Sequence, residues 1–80
     1  MPATSQSTMT AQYLGQQIRA ARARVEITQA ELGRRLGTSP SYIAGIEAGK
    51  ANVTIGQLAS IANALRVGLE ITFPVIQDEE

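Results

Sequence analysis

Apolar and polar positions divide the chain into four stretches with a helical period and one with a period of two. Leu14, Ile18 and Ala21, followed by Val25, lie on one face of a first helix predicted over 10–24, whose other face carries Gln16, Gln17, Arg19 and part of the run Arg22 to Arg24. Leu32 and Leu36 mark a short second helix, and Ile43 and Ile46 a short third. Each has a start signal. Thr28 with Glu31 reads as a capping box, and Ser39 before Pro40 sets a hydroxyl at the N-cap and a ring at the first helical position, where no N–H is needed. Gly37 between them is free to take the left-handed conformation that turns the chain sharply. Gly49 stops the third helix, and 48–52 read as a loop. Thr54 with Gln57 is a second capping box, opening a fourth helix through Leu58, Ile61, Ala62 and Leu65 that Gly68 is expected to end.

The period then changes. Val67, Leu69, Ile71, Phe73 and Val75 alternate with Gly68, Glu70, Thr72 and Pro74, which predicts a strand over 67–76 with one apolar face. No second strand follows within the chain, so its backbone groups are left without partners. Antiparallel pairing with the same strand of a second copy answers that need, with Leu69, Ile71 and Phe73 at the dimer contact. An axis near Ile71 would set each Glu70 opposite Thr72 of the other copy and keep like charges apart. Pro74 suits the end of such a ribbon.

Eighty residues make one domain, small enough that help from a partner chain is reasonable. With no histidine and no cysteine there is no imidazole acid–base chemistry, thiolate metal site or disulfide, so an enzyme is not expected, nor is a cofactor or metal. No apolar run is long enough to span a membrane and the start, MPATSQSTMT, lacks the basic and hydrophobic blocks of a signal peptide, so a cytoplasmic protein is expected. The sequon Asn52-Val53-Thr54 loses its meaning in that setting. Residues 1–9 are small, polar and aperiodic and read as a disordered tail, ahead of a helical unit over 10–66, the strand over 67–76 and an acidic tail over 77–80. Zero net charge conceals a division: residues 1–66 carry seven basic and three acidic groups, a net of +4, whereas 67–80 carry four acidic groups alone, −4. A basic helical unit is what a polyanion attracts, although the same charges also suit a plain solvated surface.

Thr28-Gln29, Ala30/Leu32, Leu36-Gly37, Ser39, Ile43, Ile46-Glu47 and Gly49-Lys50, in this joint spacing, resemble the helix-turn-helix domain of the phage Cro and repressor type, the XRE-type regulators, from about Leu14 to Leu65. The resemblance implies a mainly α fold, a four-helix lambda-repressor-like domain, here followed by the dimerising strand. It implies a third helix laid in the major groove of double-stranded DNA, with Pro40, Ser41, Ala44 and Gly45 at the base-reading positions. None of these has the long bidentate side chain that reads guanine or adenine. Ser41 can make one hydrogen bond, Pro40 and Ala44 can touch a thymine methyl, and Gly45 offers only close backbone approach. Specificity should then come largely from duplex shape, half-site spacing and phosphate contacts. The resemblance also implies a buried ion pair between Arg22 and Glu47, and a Gln29 that reaches a phosphate and braces the start of the third helix, though a glutamine on a helix surface needs neither. Tyr42 suits a phosphate or sugar contact through its hydroxyl, or partial burial against the fold. Lys50 and Asn52 are placed for phosphates or are simply solvated, Ser39 counts among the DNA-binding residues, and Arg34 and Arg35 suit long-range attraction only.

The ending GLEITF after the fourth helix resembles, more narrowly, antitoxin regulators of the HipB type, while the short QDEE departs from a long toxin-binding extension. Two functions are therefore expected. One is a homodimeric transcriptional regulator, a repressor, reading an inverted repeat whose half-sites lie roughly 34 Å apart. The alternative is an antitoxin or protein-interaction module that engages a toxin or other regulator through the strand side and binds DNA for autoregulation.

Overall fold

A computed structural model of the chain describes residues 2–73, with side chains from Thr10 onward. Four helices follow in order: α1 (Pro2–Arg24), α2 (Gln29–Leu36), α3 (Pro40–Glu47) and α4 (Ile55–Leu65). Their apolar stripes meet in one core of Ile18, Leu32, Ile43, Ile46, Ile61 and Leu65, with Leu14, Ala21 and Leu36 packed against it. Leu32 and Ile43 are sealed from solvent, so the helix pair α2–α3 is built around the centre of the domain.

The local signals act through identifiable atoms. Thr28 Oγ1 accepts from Glu31 N at 3.0 Å, Ser39 Oγ from Tyr42 N at 3.1 Å, and Thr54 Oγ1 from Gln57 N at 3.0 Å. Gly37 takes φ 70°, ψ 32° at the end of α2 and makes the turn into α3. α1 and α3 meet backbone to backbone at Gly15, where an added Cβ would stand 2.5 Å from the carbonyl oxygens of Ile46 and Glu47. That contact fixes how deeply α3 seats against α1.

Four expectations change. α1 begins at Pro2 rather than Thr10: proline is pre-set for the first helical position and no Gly or Pro interrupts 3–9, so the aperiodic start continues the helix instead of forming a loose tail. Val25 falls beyond the end of α1 and is exposed, and Ile27 packs against the core instead. The capping box at Thr28 is half made, because the Glu31 carboxylate turns to Arg34 and Arg35. α4 stops before Gly68. Arg66 takes the left-handed conformation (φ 60°, ψ 41°), Val67 N donates to Ala62 O at 3.0 Å, and the Val67 side chain folds back on the core.

Val67 thus belongs to the end of α4 and not to a strand. Among the described residues no strand is formed, and 67–73 have no regular secondary structure. The remainder of the expected strand, from Pro74, and the acidic tail lie outside the described residues. Leu69, Ile71 and Phe73 are 41, 48 and 91% exposed. A strand there would need a second one to complete its hydrogen bonds, and the described residues offer none.

Candidate nucleic-acid interface

α3 has two unlike sides. Ile43, Ile46 and Glu47, at i, i+3 and i+4, face inward. Ser39, Pro40, Ser41 and Tyr42 are exposed, and Ala44 and Gly45 are half-buried on the following turn. A Cβ on Gly45 would meet nothing within 4 Å, so the helix backbone is open there. The residues singled out as base readers therefore share one small, uncharged, accessible face.

The C-terminal end of α3 is held by a charged network. Arg22 grips Glu47 with two hydrogen bonds, Nε to Oε2 at 2.7 Å and Nη2 to Oε1 at 3.0 Å, and its Nη1 donates to Ile27 O at 2.8 Å. Gln29 Nε2 adds a bond to Glu47 Oε1 at 3.0 Å. Glu47 is only 9% exposed. Burial pushes its carboxyl up, but the hydrogen bonds from Arg22 and Gln29, with the charges of Arg22 and Arg19, outweigh it and hold the group below its ordinary range. The Glu47 hydrogen bond likewise holds the Arg22 guanidinium above its usual value against desolvation. Gln29 thus braces the end of α3, where the resemblance puts its brace at the start.

Arg34 and Arg35 are tied down as well. Arg34 meets Glu31 at 3.0 and 2.6 Å, and Arg35 Nε meets Glu31 Oε2 at 2.9 Å. First the Arg34 hydrogen bonds and then that of Arg35 bring the Glu31 carboxyl down to about 2. Arg35 Nη1 also donates to Ala64 O at 2.7 Å, fastening α2 to the last turn of α4. Arg35 thus serves the fold, while Arg34 pairs with Glu31 at the surface of its own helix. Among the described residues Lys50 and Asn52 are exposed and make no side-chain hydrogen bond, so both are open to solvent at the loop after α3.

The sequence did not foresee the Arg35–Ala64 contact, nor a second one. Gln57 Nε2 donates to Tyr42 Oη at 3.3 Å, linking the start of α4 to the first turn of α3. The two residues border a cleft of about 350 Å³ lined also by Leu36, Thr38, Ile46 and Ile61. Gln57 stood out only as a cap; nothing in its spacing points to Tyr42. Among the described residues no group of three metal-ligating side chains comes together, and no helix is long and apolar enough to cross a membrane.

Two short capped helices joined at a left-handed glycine, with the open face of the second one supported from behind by the other helices, define a helix-turn-helix DNA-binding protein. The family model described as Helix-turn-helix (HTH_3) matches residues 18–71, more than half of the chain, and the chain belongs to this XRE family of helix-turn-helix transcriptional regulators. It is similar to the restriction-modification controller protein C.AhdI from Aeromonas hydrophila, at 28% identity over 76% of this chain and 88% of that one, with a TM-score of 0.72. It is also similar to the clp gene regulator ClgR from C. glutamicum, at 33% identity over 72% of this chain and 75% of that one, with a TM-score of 0.70. No curated protein matches the chain. Both solved relatives are regulators, and double-stranded DNA is the partner of the family.

Proposed function

We propose that the chain acts as a homodimeric repressor on an inverted-repeat operator, with α3 in the major groove of each half-site. The observation that carries this reading is the exposed, uncharged face of α3, small enough for close approach to base edges and bordered by the free side chains of Lys50 and Asn52. Ser41 then donates to a base edge, Pro40 and Ala44 pack on thymine methyls, and Ser39, Tyr42, Lys50 and Asn52 hold phosphates. Gln29 keeps one amide hydrogen and its carbonyl free after bonding Glu47, enough for a phosphate close to the start of α2.

The exposed Leu69, Ile71 and Phe73 support dimerisation through the terminal segment. The same apolar stretch supports the second reading, an antitoxin-like module that seats a partner protein there. Selection of bound duplexes from random DNA tests the first reading, and co-purification of a partner protein tests the second. A symmetric site with half-sites about one helical turn apart supports the repressor. Failure to enrich any duplex, with folded protein, removes it. Ile71→Asp should yield monomers by sedimentation, and a dimer that survives this change would refute the strand proposal.

A further inference from the structure

We propose that Gln57 is a positioning residue for DNA contact, acting through the hydroxyl of Tyr42; this rests on the reading of the α3 face as the DNA-binding one. The argument starts at the cap of α4. Gln57 Oε1 accepts from Thr54 N at 2.8 Å. A backbone N–H can only donate, so this bond fixes which end of the carboxamide is oxygen. Its nitrogen must then face Tyr42 Oη, 3.3 Å away, and it can only donate. The phenol oxygen is thereby committed as an acceptor on the protein side.

A phenol has one hydrogen to give. With Gln57 supplying the inward bond, that hydrogen is left to point away from α4, into the solvent that a duplex on α3 would replace. Tyr42 is 37% exposed and lines the cleft between α3 and α4, and its bond to Gln57 lies at the exposed surface. Thr54 N, Gln57 and Tyr42 so form a relay in which a helix cap sets the direction of a hydroxyl donor toward a phosphate oxygen. The donor is presented before DNA arrives, and less ordering is left for the moment of binding.

The test is a double-mutant cycle read by anisotropy on a duplex selected with the unaltered protein, at several salt concentrations, with thermal melts alongside. Tyr42→Phe should weaken binding about tenfold, and Gln57→Leu about threefold. The double variant should bind no more weakly than Tyr42→Phe alone. Salt slopes should be equal in all four proteins, because a phenol releases no counterion. Losses that multiply, or a Gln57→Leu protein that is less stable yet binds normally, would overturn the inference and leave Gln57 as a cap. Should Gln57→Leu fail to fold, Gln57→Glu keeps the acceptor for Thr54 N but cannot donate, drawing the phenol hydrogen inward. It should then weaken binding more with Tyr42 present than with Tyr42→Phe, and equal losses would refute the relay. If the unaltered protein selects no duplex, the DNA reading itself falls and takes this inference with it.

Discussion

The two ends of α3 are built on opposite principles. The C-terminal end is charged, buried and fully partnered, with Glu47 held by Arg22 and Gln29 and the backbone pressed against Gly15 of α1. The N-terminal end is neutral and exposed, with Ser39, Pro40 and Ser41 in the open, and the outward face runs on to bare backbone at Gly45 on the second turn. Apart from Tyr42, which bonds Gln57, the side chains that fix the helix are not the ones it presents. A helix of eight residues forms few internal hydrogen bonds, so its position has to come from tertiary anchoring at one end, which frees the other to be chosen for binding.

Substitutions should separate the ends. The largest effect is expected from Glu47→Ala, which strands the Arg22 guanidinium: about 3–5 kcal/mol lost in denaturant melts, against much less for the joint replacement of Arg22 and Glu47 by apolar residues. A loss under about 1 kcal/mol would mean that water reaches the pair. The same carboxylate should show in the pH dependence of stability. Its folded value lies below its unfolded one, so the stabilisation is complete above the ordinary carboxylate range and fades as pH falls through the lowered value. Glu47→Gln should flatten that acid limb. Glu31, titrating down at about 2, adds a part that salt screens because the group is exposed.

Next in size is Gly15→Ala, whose methyl would collide with two carbonyl oxygens of α3 and should cost about 1–3 kcal/mol by thermal melts. On the open face the sign reverses. Gly45→Ala meets nothing, and should stabilise by about 0.5–1 kcal/mol through helix propensity while altering which duplexes are selected. Unchanged selection would take Gly45 out of the reading face. The smallest effect is that of Lys50→Ala, which should leave stability alone, weaken all sequences alike and shallow the salt slope by about one.

The helices, their three hydroxyl caps and the turn at Gly37 were legible because each signal is local, carried by residues three or four apart. So was the division of α3 into inward and outward faces. What escaped joins distant residues. Arg35 reaches Ala64 and Gln57 reaches Tyr42 across helices, and no spacing rule connects them. Glu31 was misread as a cap because two arginines outcompete a backbone N–H for its carboxylate, a contest between local options that counting cannot decide. Gly68 was the better chemical candidate for a helix stop, but burying Val67 required the turn to come earlier, at Arg66.

That displaced turn has a geometric consequence. A left-handed dihedral on a residue with a side chain costs about 1–2 kcal/mol and tolerates little variation, whereas a glycine there would swing freely. Arg66 therefore works as a stiff elbow between the bundle and residues 67–73. In the dimer proposed above, this turn sets the direction in which residues 67–73 leave the bundle, and Arg66→Gly should loosen that direction while leaving the α3 face untouched.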